Sequence, residues 1–193
     1  MSPQRSNRSN LIEGTLRCLE CLPPERITAR AIADQSNANL ASIAYHFGSK
    51  DTLVTEAVIE GLDRWLTEIA AALGDVEAQP PADRFRRAVE VIEASRRRHT
   101  GLAKTFVAAL AKAQHDVRVR EMLADGFHRS RRNVASLLGL GDDRAGHDAA
   151  GLVLALFDGL LFQVLLDPGL AIEGKRMRQA QARMREVLPG RAG

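Results

Sequence analysis

The chain has 193 residues, enough to bury a sizeable core, and is 45% hydrophobic but only 4% aromatic. Ala, Leu, Arg and Glu dominate, a helix former's composition. The formal net charge of +3, with six Lys/Arg against four Asp/Glu in the first 50 residues, is too small to name nucleic acid as a partner without a motif. Met1–Asn10 is polar and lacks the apolar stretch of a secretory leader. The longest apolar run, Leu152–Leu166, is 15 residues interrupted by Asp158 and Gln163, too short and too polar for a bilayer. A soluble cytoplasmic protein with no membrane partner is expected.

Residues 1–9 are polar and predicted to be flexible. Leu11, Ile12, Thr15, Leu16, Leu19 and Leu22 then recur at helical spacing, predicting a first helix that ends at Pro23-Pro24. This helix carries Cys18 and Cys21. A zinc site needs about four ligands and no second Cys/His pair follows, while a thioredoxin-like site needs a βαβ setting. The pair therefore reads as small residues at or near the core, with an oxidation-sensitive pair as the alternative. Thr28 stands where an N-cap belongs, before Ala29–Gln35, in which Ala31 and Ile32 face one way with Ile27. Ser36-Asn37-Ala38-Asn39 has turn chemistry, since Asn tolerates the left-handed conformation. A second short helix, Leu40–Phe47, puts Ile43 and Phe47 on one apolar face and Ser42, Tyr45 and His46 on the other. The pattern is a helix-turn-helix, whose second helix is shaped to enter a DNA major groove.

Ser49 can cap the next helix, with Asp51 in its first turn favouring the positive end of the dipole. Leu53, Ala57, Leu62, Leu66, Ile69 and Leu73 keep that helix amphipathic to Gly74, about 37 Å at 1.5 Å per residue. Gly74–Pro81 is a break. Further helices are predicted at Asp83–Arg98, Gly101–Gln114, Val117–Leu138, His147–Leu166 and Glu173–Leu188, with Asp116 and Asp142/Asp143 as start signals and Asp167-Pro168-Gly169 as a turn. The fold class is all-α, about nine helices: a three-helix head over residues 1–50 and a larger bundle over 51–193, joined by the long helix 49–73.

The run Asn39-Leu40-Ala41, then Ile43, then Tyr45-His46-Phe47-Gly48-Ser49-Lys50, resembles the DNA-binding signature of TetR/AcrR-type transcriptional regulators. The resemblance is specific over residues 11–60 and architectural beyond. The chain departs from it at Asn37, where Gly is frequent, at Ala44, where an aromatic is frequent, and at Pro23-Pro24, where a Gly usually precedes the second helix. The resemblance implies a homodimeric regulator, expected to be a repressor, binding a palindromic operator and answering to a small-molecule effector. Candidate DNA-binding residues are Thr28, Arg30, Asn39, Leu40, Ala41, Ser42, Tyr45, His46 and Lys50. Leu or Ala at the front of the recognition helix can touch a thymine methyl, and Ser can bond almost any base. Lys50, one past a capping Ser, brings charge and free backbone N–H groups together, which suits a phosphate. The plainer roles are capping for Thr28, packing against the head for Tyr45 and His46, and solvation for Lys50.

For the effector, the resemblance points to Trp65, Phe85, Phe106, Phe127, Phe157 and Phe162, with His128, Gln163 and Asp158 as polar handles. For each, core packing is the plainer role. The helix His147–Leu166 is apolar nearly all round and needs cover on both sides. One cover is its own bundle and the other a second copy. The last helix carries the narrower stripe Met177, Ala180, Met184 and Val187. The expected dimer interface comprises Gly151, Leu152, Leu156, Gly159, Leu160, Met177, Ala180 and Met184. The Arg96-Arg97-Arg98 and Arg129/Arg131/Arg132 clusters read as helix ends and solvated faces. The five histidines are scattered and Gly139-Leu140-Gly141 is a helix C-cap, so no enzyme, metal or cofactor is expected. A helical protein-interaction adaptor, without sequence-specific DNA binding, is the rival.

Overall fold

The computed structural model describes residues 7–73 and 80–187, of which 185–187 by backbone alone. Among these residues there are nine α-helices and no strand: α1 (Asn7–Cys21), α2 (Ala29–Ser36), α3 (Ala41–Phe47), α4 (Lys50–Leu73), α5 (Pro81–Ser95), α6 (Thr100–Ala113), α7 (Val117–Leu138), α8 (Arg144–Leu166) and α9 (Gly174–Val187). The all-α class is as the composition and periodicity predict. Residues 7–9, expected to be flexible, form the first turn of α1. Most of the expected break at Gly74–Pro81, the expected end at Leu188 and the side chain of Val187 lie outside the described residues. The chain divides into two compact units, residues 1–152 and 153–193.

In the first unit, α1 packs against α2, α4 and α6, while α4 also meets α5 and α7. Leu11, Ile12, Thr15, Cys18 and Leu19 of α1 are buried, a stripe of helical period. Gly14 belongs to that stripe because α2 leaves no room there. A Cβ on it would meet the Ser36 backbone N at 2.8 Å and Cα at 2.9 Å, with the Ser36 hydroxyl closer still. Ion pairs tie α1 to α4 at two places, Arg8 with Glu56 and Arg64 with Glu13, the latter at 2.5 Å. The buried face of α4 runs through Leu53, Ala57, Val58, Gly61, Trp65, Ile69 and Leu73. Leu62 and Leu66, expected on that face, are half-buried beside it. The indole Nε1 of Trp65 donates to Ser95 Oγ at 2.8 Å, and its ring stacks on His99 at 4.6 Å between centroids.

Capping residues set the later helix starts. Asp116 accepts the Val119 amide at 3.1 Å, and Asp143 accepts the Gly146 amide at 2.8 Å. The second cap starts α8 at Arg144 rather than His147. α8 is thus 23 residues, and by length and composition alone it is apolar enough to cross a membrane. This corrects the expectation drawn from Leu152–Leu166 taken alone. A core or interface helix passes the same test.

The second unit holds α8 from Val153 onward, one 3₁₀ turn at Pro168–Leu170 and α9. Asp167 accepts the Gly169 amide at 2.8 Å, and the Arg176 guanidinium donates to the Ala171 carbonyl at 2.9 Å, fixing the turn and the entry into α9.

Candidate nucleic-acid interface

Local caps build the α2–α3 unit. Thr28 Oγ1 accepts the Ala31 amide at 3.1 Å, opening α2. Asn37 closes it in the left-handed conformation (φ 49°, ψ 44°), which Asn tolerates better than most residues. The Ala38 amide donates to the Ala33 carbonyl at 3.0 Å, and Arg17 of α1 donates to the Gln35 carbonyl. Asn39 Oδ1 accepts the Ala41 amide at 2.9 Å, so this candidate DNA contact starts the recognition helix. Gly48 (φ +77°) then reverses the chain, a conformation other residues rarely adopt. Ser49 Oγ accepts the Thr52 amide at 3.0 Å, opening α4 at Lys50.

These turns sort the side chains of α3 by face. Ile43 and Phe47 are buried in the head, and the Arg8 guanidinium lies 5.1 Å from the Phe47 ring centre. Tyr45 is 85% exposed and Leu40 48%. Thr28, Arg30, Asn39 and Ala41 are exposed as well, while Ser42, His46 and Lys50 are half-buried. Tyr45 meets the edge of His46 with ring centres 4.8 Å apart. The candidate residues thus come together on α2, the turn and α3, with Lys50 one short loop away. A phenol exposed to this degree is available to a ligand rather than to the head.

One charged group beside this surface escapes sequence inspection. Asp51 shares its carboxylate between Lys112 Nζ at 2.6 Å and Lys50 Nζ at 3.4 Å. The hydrogen bond from Lys112 is the chief cause holding Asp51 below the usual carboxylate range. Asp51 carries a sequence signal, as an acid in the first turn of a helix. Lys112 lies 61 residues away (112 − 51) and carries none.

The other candidates scatter. Trp65 and Phe106 are buried, Phe85 and Phe127 half-buried, and Phe106 and Phe127 pair at 6.0 Å between centroids. His128 and Gln163, expected as polar handles, are both exposed. Phe157 and Phe162 are half-buried. Asp158 is pushed up to about 6 by burial. Of the expected interface residues, Leu152 is 75% exposed, Leu156 44% and Met184 49%, Leu160 and Ala180 are half-buried, and Gly159 has open space where a Cβ would stand. Two differ from that pattern. Met177 is already buried in the single chain, and a Cβ on Gly151 would run into the Arg131 guanidinium at 2.9 Å. Cys18 is buried, which raises its thiol pKa, whereas Cys21 is exposed.

Known proteins share both parts of this chain. The family model described as bacterial regulatory proteins, tetR family, matches residues 11–57, and the one described as BetI-type transcriptional repressor, C-terminal, matches residues 81–188. The HTH-type transcriptional regulator BetI of Burkholderia thailandensis is 26% identical over 164 residues, 84% of this chain and 83% of that one. The structure of a Saccharomonospora viridis regulator in complex with choline superposes with a TM-score of 0.63 at 22% identity, over 93% of this chain and 95% of the other. The multidrug binding protein EbrR complexed with proflavin gives 0.62 at 22% identity, over 93% and 99%. The two structures share its fold.

Proposed function

The chain belongs to the TetR family of bacterial transcriptional regulators, and we propose that it binds a palindromic operator as a homodimer and represses until a small organic cation releases it. One observation carries the DNA half: a recognition helix whose apolar face is locked into the head while Tyr45 stands 85% exposed on the other. In this reading Tyr45, His46 and Lys50 meet phosphates, Thr28 and Arg30 flank them, and Leu40, Ala41 and Ser42 face bases. Residues 1–50 act as the head and the rest of the chain as effector-binding and dimerisation region.

The dimer half is supported by α8. Leu152 and Leu156 lie open on one helix, and soluble monomers rarely leave such a strip uncovered. Closed two-fold pairing covers it and sets the spacing of the two heads, with half-site centres about 34–36 Å or more apart. The cation rests on two supports. Choline and proflavin, bound by the two structural neighbours, are both cations. The Trp65–His99 stack and the Phe106–Phe127 pair supply aromatic faces, which attract cations.

Salt dependence tests the DNA reading against a protein-interaction adaptor. Affinity for a duplex selected from random DNA should fall linearly on logarithmic axes as salt rises. An adaptor shows no selected sequence and no such slope. The chain has one tryptophan, so choline or proflavin titrations can be followed by Trp65 emission. A flat response to both sinks the cation assignment.

A further inference from the structure

We propose that Lys112, on α6, is a positioning residue for DNA binding: by taking the larger share of the Asp51 carboxylate it loosens the hold of Asp51 on Lys50, so that Lys50 can meet a phosphate and α6 sets the affinity of the α3–α4 turn for DNA. The inference rests on the DNA-binding reading above and adds a residue from outside the helix-turn-helix.

The carboxylate of Asp51 stands next in sequence to the lysine assigned to the phosphate. Left alone, it would oppose a phosphate there and compete with it for the Lys50 ammonium. The competition is settled unevenly, because Asp51 Oδ2 is 2.6 Å from Lys112 Nζ while Oδ1 is 3.4 Å from Lys50 Nζ. Asp51 is also held in place, since α4 begins on the Ser49 cap and the Thr55 hydroxyl donates to the Asp51 carbonyl at 2.8 Å. Lys112 therefore reaches a fixed target. It is 45% exposed, so the pair can open without unpacking a core.

α6 is placed to work that contact, as it touches the head at its start and the first turn of α4 at its end. At its start, Gly101 lies against the Leu19 carbonyl of α1, with the Leu19 carbonyl carbon 2.9 Å from where a Cβ would stand. At its end, Lys112 holds Asp51. The first turn of α7 follows, and its Arg118 Nη1 would lie 3.3 Å from a Cβ on Gly48. A displacement of α6 that draws Lys112 back returns the Asp51 carboxylate to Lys50, where it competes with the phosphate. Phe106, of the aromatic pair proposed to receive the effector, lies on the same helix.

The experiment is fluorescence anisotropy with a labelled duplex selected from random DNA on the wild-type protein, at several salt concentrations. Lys112→Met should bind about 3-fold more weakly, the scale of one exposed ion pair, and Lys112→Arg should bind as wild type. Asp51→Asn placed in the Lys112→Met background should restore or exceed wild-type affinity, since the competing charge is gone. A purely structural role for Lys112 would not be repaired by removing its partner. Unchanged binding by Lys112→Met overturns the proposal. So does a loss that persists with Asn at position 51, because Lys112 would then meet the phosphate itself. If the wild type shows no salt-dependent binding to any duplex, the DNA-binding reading falls and takes this inference with it.

Discussion

Gly14 and Gly126 both lie inside helices, and replacing each by Ala should move stability in opposite directions. Either change gains about 1 kcal/mol from helix propensity. The surroundings decide the rest. At Gly126 in α7, a Cβ would stand 3.6–3.8 Å from Ile59 side-chain carbons, an ordinary contact. Burying that methyl adds up to about 0.8 kcal/mol, so Gly126→Ala should stabilise by about 1–2 kcal/mol. At Gly14 the Cβ would approach the Ser36 backbone N and Cα at 2.8 and 2.9 Å, against about 3.5–4.0 Å for a relaxed carbon contact. α1 and α2 must part by more than half an ångström there, and overpacking of this kind costs about 1–3 kcal/mol or more. Because the clash includes the backbone, the cost should exceed the propensity gain. With about 2–4 °C per kcal/mol for a chain of this size, melting temperatures should separate by several degrees, Gly126→Ala above wild type and Gly14→Ala below. Both are read by thermal denaturation at one protein concentration, because a dimer's midpoint depends on it. Gly14→Ala should also weaken DNA binding, as α2 carries the recognition helix. Equal shifts of one sign in both variants would refute the packing argument.

Removing the Lys50 ammonium as Lys50→Ala should lower the slope of log affinity against log salt by about one and weaken all duplexes alike, whereas Ser42→Ala should change which sequence is preferred. Identical slopes for wild type and Lys50→Ala count against a phosphate contact. Gly159→Arg should block close approach of two α8 helices and leave a charge at the seam, giving a monomer or aggregate by sedimentation. A well-folded wild-type monomer at micromolar concentration would defeat the dimer. Asp158 is pushed up to about 6 from an ordinary 3.8, so the folded protein prefers it protonated. Its destabilisation is absent below pH about 4, grows between pH 4 and 6, and is complete above that. Asp158→Asn should therefore stabilise by about 1–3 kcal/mol at pH 7 and by little at pH 4. A difference between variant and wild type that stays constant from pH 4 to 7 excludes this account.

Local chemistry is what can be read along a chain. Thr28, Ser49 and Asp116 each cap a helix three residues ahead or fewer, so their positions and the turn at Asn37 were legible from residue type alone. The exposed face of α3 was legible too, since Ile43 and Phe47 leave only one side for Tyr45 to occupy. The cover needed by α8 was legible as an excess of apolar residues, though its start at Arg144 was not, because two aspartates competed for the cap. Asn39, proposed for DNA, also caps the recognition helix, its Oδ1 accepting the amide of Ala41.

Contacts between distant helices left no such trace. A period of 3.6 marks a buried face but not its neighbour, so Gly14 facing Ser36 and Gly101 facing Leu19 emerged only once α1, α2 and α6 were packed. The sequence determined by itself the all-α class, the caps and the helix-turn-helix, because those depend on residues a turn apart. The tertiary structure alone decided that Trp65 stacks on His99, that His128 points outward and that Lys112 reaches Asp51. Those pairings follow from how helices cross, which is settled by the shapes of side chains far apart in the chain.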